Sequence, residues 1–270
     1  MATWPEPGGE PVLPAGLVAD FREQLPSFLR EHYGKWVGHD HPGPGLVRHL
    51  AADGAECWTL RLHLPPGGVL SSSTLRLLAR WIREYALVGR RTSRQGFELV
   101  GVDPARLPAL MEEVHLAGLL PGGTGPTLHQ VKACVGFLHC QNALVDSPGI
   151  ARVLGEVLLP LARDGLPAPL RISVAGCPND CGGAHGADLG LMGTYRRGPS
   201  VRLYTGGRAG LHPRLGWARE YLPAEPPDYP GVVEHVVDLV EAWRAGAACG
   251  ERLGDWLDRA EEREEAREKP

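Results

Sequence analysis

Lysine is almost missing from this chain: Lys35, Lys132 and Lys269 are the whole complement, set against 28 lysines and arginines together. A site for an anion must therefore be built chiefly from arginine, whose planar fork suits oxyanions. A surplus of positive charge is missing too. The formal net charge is −4, which gives no reason to expect a nucleic-acid partner. No apolar run reaches the roughly 18 residues needed for a membrane-spanning helix, so no membrane role is expected. The opening MATWPEPGGEPVLP has neither the basic nor the apolar stretch of a secretory signal. Six cysteines are too few for a disulfide scaffold in 270 residues, and a reducing, cytoplasmic setting is the expectation. The remainder is ordinary for a globular protein, with 43% hydrophobic and 22% charged residues, enough for a sizeable core in one or two domains.

Periodicity sets the coarse order of elements. Residues 1–20 are rich in proline and glycine and read as an extended arm, followed by a short helix over 21–33. WTLRLHL alternates, placing Trp58, Leu60, Leu62 and Leu64 on one face of a strand. PPGG is a turn, and Leu75, Leu78, Ala79 and Ile82 repeat at helical spacing within Ser73–Tyr85. RTSRQGFELVGV reads as one strand, which would put Arg90, Thr92 and Arg94 on a common face. Asp103 and Pro104 open a helix to about Ala117. A helix over Ser147–Arg163, a buried strand LRISVA, and strands DLGLMGTY and SVRLYTGG follow. An amphipathic helix over 231–245 comes next, and DRAEEREEAREKP reads as a charged helix or a frayed tail. The order predicts an α+β protein of two units. Residues 1–50 are arm and helix, 51–120 the first unit, 121–245 the second, and 246–270 the closing helix or tail.

Four cysteines carry the chemistry. Cys134 and Cys140 stand as C-x5-C, and after 36 residues Cys177 and Cys181 stand as C-x3-C. Deprotonated sulfur suits soft metal centres, iron–sulfur clusters or zinc. Zinc sites favour C-x2-C and C-x4-C pairs, so a zinc-structured interaction protein is the weaker alternative. Cys57 and Cys249 read as ordinary buried cysteines. His32, His39, His41 and His49 read as surface or loop histidines, with a metal role for His39–His41 a minor alternative.

The flanking residues are more specific than the spacing. HYGKW (His32–Trp36), GRRTSRQGFEL (Gly89–Leu99), GFLHC before Cys140 and AGCPNDCGGAHG around Cys177 and Cys181 resemble segments of the siroheme and [4Fe–4S] sulfite and nitrite reductases. Over nearly the whole chain the resemblance is to the β subunits of dissimilatory sulfite reductases. Two departures stand out. YRRGPSVRLYTGGRAG runs straight on where those subunits insert a ferredoxin domain. Cys134 with Gly176–Cys177 replaces their adjacent cysteine pair, in the arrangement of single-chain siroheme reductases.

The resemblance implies a ferredoxin-like N-terminal half domain and a domain binding siroheme and the cluster. Cys134, Cys140, Cys177 and Cys181 would be the cluster ligands, with Cys181 bridging to the siroheme iron. Arg61, Arg90, Thr92, Arg94, Gln95, Arg196, Arg197, Arg208 and Arg214, with Gly206 and Gly207, would meet the siroheme carboxylates. Gly182, Gly183, Ala184 and Gly186 would let the macrocycle approach the backbone. Arg90, Arg94, His139 and Arg171 would serve catalysis, His139 as proton relay. A K-x-K strand before the third cysteine reads here as Pro169 and Arg171, leaving one cation, which implies that a second chain completes the sulfite cage. The implied activity is interconversion of sulfite and sulfide in a complex with an α subunit, as α2β2. The implied partners are an external electron donor and a small sulfur carrier with a C-terminal cysteine. The alternatives are a self-sufficient small assimilatory-type sulfite or nitrite reductase, and a non-catalytic cofactor-holding subunit.

Overall fold

The computed structural model describes residues 21–162, 165–196 and 198–268; the arm at 1–20, Arg163 and Arg197 lie outside them. The chain forms two compact units. One comprises residues up to Leu64 together with Leu70–Thr124, the other Pro65–Val69 and Gly125 onward.

In the first unit the expected helix over 21–33 is split. A 3-10 turn (Phe21–Gln24) and a short α1 (Ser27–Glu31) are separated by Pro26, whose backbone is extended at ψ 148°. A hairpin of β1 (Trp36–Gly43) and β2 (Leu46–Ala51) leads to β3 (Glu56–His63). β1 is largely exposed on both faces, so no apolar alternation marks it in the sequence. Next comes α2 (Ser72–Tyr85), capped by Ser71, whose side chain accepts the Thr74 amide. RTSRQGFELVGV is a hairpin, not one strand: β4 (Val88–Arg91) and β5 (Phe97–Val100) pair antiparallel. Its turn is closed by Thr92, whose N–H donates to Gly96 O at 2.9 Å, while its hydroxyl accepts the Gly96 amide at 3.0 Å. Gln95 adopts φ 70° there, a left-handed conformation usually left to glycine or asparagine. A 3-10 turn at Pro104–Arg106 precedes α3 (Leu107–Leu116), and β6 (Leu120–Pro121) closes the unit. The strands order as β1-β2-β3-β5-β4, with β6 also on β3. Leu60, Leu62 and Leu64 face Leu78 and Trp81 of α2 and Leu110 and Val114 of α3 in one core.

The second unit holds a five-stranded sheet. Its elements are β7 (Lys132–Ala133), α4 (Ser147–Leu161), β8 (Ile172–Ala175), β9 (Leu189–Tyr195), β10 (Pro199–Thr205), β11 (Trp217–Pro223), α5 (Pro230–Gly246) and α6 (Leu253–Glu268). The order is β11-β10-β9-β8-β7. β7, β8 and β9 run parallel, and β10 and β11 continue antiparallel. Alternation divides the sheet's faces. Val174, Leu189, Leu191, Val201 and Leu203 pack under Ile150 and Leu154 of α4 and Val232 and Val236 of α5. The opposite face gathers a smaller cluster of Ala175, Ala184, Met192 and Tyr204. α6 forms the charged helix at the C-terminal end.

Candidate functional site

The four cysteines leave the C-terminal ends of two neighbouring parallel strands, a place where α/β sheets commonly hold ligands. Lys132 and Ala133 of β7 pair with Ser173 and Val174 of β8. The Cys134 amide extends that ladder to Val174 O at 3.1 Å, and Cys177 follows β8 by two residues. The Gly176 N–H donates to Cys134 Sγ at 3.1 Å, and the Ser147 hydroxyl lies 3.1 Å from the same sulfur. An N–H aimed at a ligating sulfur orients it and tunes a bound cluster.

The two cysteine loops are tied together. Gly176 O accepts the amides of Leu144 and Val145 at 2.8 and 3.3 Å, so the exit of the C-x5-C loop is fastened beside Cys177. Between Cys134 and Cys140 the chain makes a 3-10 turn at Gly136–Leu138, and Cys140 N–H bonds to Gly136 O at 3.1 Å. The second loop is clamped by Asp180. Its carboxylate accepts the Ala184 amide at 2.6 Å, the His185 amide at 3.3 Å and the His185 ring Nδ1–H at 2.7 Å. Cys177 is buried, Cys134 and Cys140 half-buried, and Cys181 exposed. Among the described residues no three His, Cys, Asp or Glu side chains converge on a point as ligands of a single ion. A cubane spreads its thiolates over four irons, further apart than the ligands of one ion. Four cysteines at one sheet end, one already receiving an N–H, are a donor set that fits such a cluster.

The other two cysteines differ from one another. Cys57 is buried, and burial pushes its thiol up to about 11, as expected for an inert side chain. Cys249 is exposed, not buried. Of the four histidines read as surface or loop, His39 and His41 are exposed, while His32 and His49 are not. His32 is buried and bonds Phe28 O at 2.7 Å and the Asp53 carboxylate at 3.1 Å. His39 and His41 are exposed on β1, and His49 is half-buried opposite His39.

In the first unit, Arg61 and Arg90 bracket Glu98 across three strands. Arg61 Nε reaches one carboxylate oxygen and Arg90 Nε the other, each at 2.7 Å. Glu98 is 3% exposed, and no sequence motif flagged it; its register opposite both arginines on β5 is what places it there. Thr92, Arg94 and Gln95 sit in the β4–β5 turn, so Arg90 and Arg94 do not share a strand.

In the second unit, Arg171 precedes β8 at the end away from Cys177, and its amide donates to Asp188 at 2.9 Å. Burial pushes the Asp188 carboxyl above its ordinary value, against the opposing pull of Arg252 paired at 2.5 Å. Gly206 and Gly207 lie at that same end. A Cβ on Gly207 would stand 2.3 Å from His185 O, and one on Gly182 would stand 2.2 Å from Val174 O. Close backbone packing therefore already requires these glycines. Arg208 donates to His212 O at 2.9 Å and pairs with Asp255 at 3.5 Å. Arg214 donates to Gly206 O at 2.5 Å and pairs with Asp258 at 2.6 Å, so α6 braces the loop. Gly183 is left-handed at φ 71°. Gly186, in the 3-10 turn with Ala184, has open space where a Cβ would stand. Arg196 is exposed at the β9–β10 turn, its guanidinium 4.8 Å from the Tyr221 ring. His139 is exposed beside Cys140.

Two cations escaped the sequence pattern. Lys132 on β7 extends over the second cysteine loop, its Nζ 3.0 Å from where a Gly183 Cβ would stand. Arg202 on β10 lies opposite Met192. Only strand alternation could have marked them, since neither belongs to a motif.

Comparison with known proteins fits this geometry. Residues 124–268 match the nitrite and sulphite reductase 4Fe-4S domain, and residues 49–117 match the nitrite/sulfite reductase ferredoxin-like half domain. The chain belongs to the nitrite and sulfite reductase family. It is 26% identical to the dissimilatory-type sulfite reductase β subunit of Archaeoglobus fulgidus, covering 88% of this chain and 85% of that one. That alignment runs over 314 positions, more than this chain's 270 residues, so the relative carries segments that this chain lacks. An assimilatory-type sulfite reductase of Nitratidesulfovibrio vulgaris is 32% identical over 56% of this chain and 66% of its own length. The crystal structure of dissimilatory sulfite reductase I superposes with a TM-score of 0.76 at 16% identity, covering 87% of this chain and 79% of that one. The fold is therefore that of the sulfite reductases: a ferredoxin-like half domain plus an α+β cluster domain. No helix among the described residues is long and apolar enough to cross a membrane.

Proposed function

We propose that this chain is a sulfite reductase chain of the dissimilatory β type without a ferredoxin insert, holding a [4Fe–4S] cluster and a siroheme. The observation that carries the reading is the exit of Cys134 and Cys177 from adjacent parallel strands, within a family-matched cluster domain. When bound, the siroheme coupled to the cluster supplies an iron for the sulfur of sulfite and a path for the six electrons separating sulfite from sulfide.

The chain's own residues hold and orient. The Gly176 N–H donates to Cys134 Sγ and the Ser147 hydroxyl lies beside it, so both fix the position of that sulfur. Asp180 fixes the turn that aims Cys177 and Cys181. Arginines supply the fork donors for carboxylates and for sulfite; of the motif arginines, Arg94 is the candidate kept, since Arg90 is paired with Glu98 and Arg171 lies at the sheet end away from Cys177. His139 is the candidate proton carrier beside Cys140. Because Glu98 already occupies Arg61 and Arg90, this chain alone is short of cations, which supports a partner α-type chain completing the substrate site. Electrons come from a separate donor protein, and a small carrier with a terminal cysteine takes part at the sulfur end.

A self-sufficient reductase is the second reading, favoured by the 32% identity to an assimilatory-type enzyme. Sulfite-dependent oxidation of a reduced viologen dye separates the two. Turnover only after mixing with an α-type chain is expected. Sustained turnover by the isolated chain supports the second reading, and no turnover in either form overturns both.

A further inference from the structure

Arg202 stands in a row of β-sheet partners on the face of the second unit's sheet opposite α4 and α5. The row runs Ala175 on β8, Met192 on β9, Arg202 on β10 and Tyr221 on β11. Its strand neighbours Val201 and Leu203 point the other way, into the core under α4 and α5. The row lies at the cysteine end, because Ala175 is two residues before Cys177 and a Cβ on Gly193, the residue after Met192, would meet Gly176 O at 2.2 Å.

Four other arginines of this unit are spoken for: Arg208, Arg214, Arg219 and Arg252 each pair with a carboxylate. Arg202 pairs with none among the described residues. Its guanidinium carbon lies 5.1 Å from the Tyr221 ring and 5.9 Å from the Tyr204 ring, contacts that fix the plane of the fork without satisfying its N–H groups. Its Nε is buried and has no hydrogen-bond partner among the described residues. Buried donors are almost always paired in native proteins, and one left alone calls for an explanation. The side edge of a guanidinium, Nε with one Nη, grips a carboxylate or a similar oxyanion with two parallel bonds.

We propose that Arg202 is an oxyanion-binding residue of this site, taking either a carboxylate of the tetrapyrrole or sulfite itself through Nε and Nη. The inference rests on the function proposed above, which places an eight-carboxylate cofactor and an oxyanion substrate in this domain.

The test compares anaerobically purified wild type with Arg202→Gln and Arg202→Lys. Three quantities are read: siroheme per cluster by absorption, the dissociation constant of sulfite from its perturbation of the siroheme spectrum, and Tm. If a cofactor carboxylate is the ligand, Arg202→Gln is expected to lose siroheme by at least about threefold while the cluster content stays. If sulfite is the ligand, siroheme stays and the sulfite constant rises at least about tenfold, the order of one lost charged hydrogen bond. Arg202→Lys keeps the charge without the fork and should fall between, and it decides the matter if the glutamine variant does not fold. Unchanged siroheme and unchanged sulfite affinity in a folded variant overturn the proposal alone. A wild-type chain that holds no siroheme overturns the proposed function and this inference with it.

Discussion

At the scale of the residue, Cys134 is the candidate ligand most tightly placed. The sulfur lies between the Gly176 amide and the Ser147 hydroxyl, a place where a serine fits by size but cannot supply a soft ligand. Cys134→Ser is therefore expected to lose most of its labile sulfide and the cluster's visible absorption. Cys249→Ser, at an exposed position, should keep both. If the two variants retain equal sulfide, Cys134 is not a ligand. Glu98 makes a second residue-level case. It is buried with a guanidinium on each oxygen, so Glu98→Gln leaves two cations facing each other across a neutral amide. A loss of about 2–4 kcal/mol in denaturant unfolding is expected, and a loss below about 0.5 kcal/mol would mean that the pairs are idle.

At the scale of the element, α2 and α3 are joined by one carboxylate. Glu113 accepts the Tyr85 hydroxyl at 2.6 Å, the Trp81 indole N–H at 2.8 Å and the Arg80 guanidinium at 2.6 Å. The Tyr85 bond, then that of Trp81, holds the carboxyl below its ordinary value. A depressed carboxyl stabilises the fold above the unfolded value of about 4.3, and that stabilisation is lost as pH falls through the lower folded value. Glu113→Gln should thus cost about 1–2 kcal/mol at pH 7, with the gap to wild type closing as pH falls below about 4. A gap that stays constant to pH 3 would show that shape, not charge, holds the helices.

Legibility also varies by element. α2 was readable because Leu75, Leu78, Ala79 and Ile82 recur at helical spacing behind a serine, although the side chains it buries are Leu78, Trp81 and Tyr85, and β8 because its four residues are buried on both faces. The β4–β5 turn was not, since Gln95 carries the left-handed conformation without a glycine to announce it. β1 and β11 expose most of their residues and so lack the alternation that marks a strand.

At the scale of the whole molecule, the candidate cluster cysteines stood out from spacing and flanking residues, and Cys134 and Cys177 do follow adjacent parallel strands. The candidate anion-binding residues stood out far less. A lone arginine or lysine in a strand looks the same in sequence whether it meets solvent, a carboxylate such as Glu98, or the sheet face opposite α4 and α5 where Arg202 stands. The sheet's register alone separates these cases. Arg171, Gly206 and Gly207 lie at the end of the sheet away from the cysteines, a separation that no motif conveys. Beyond the four, the sequence holds only Cys57 and Cys249, and the proposed function therefore takes its electrons from a separate donor protein. With such a donor supplied, turnover should weaken at high salt if docking is electrostatic.

The central claim is one cluster and one siroheme per chain, and the most direct measurement is the ratio of iron, labile sulfide and siroheme in anaerobically purified protein. The account expects about five irons and about four sulfides for each siroheme. A stoichiometric zinc with no labile sulfide would contradict it, and about nine irons would mean a second cluster on residues assigned no metal role here.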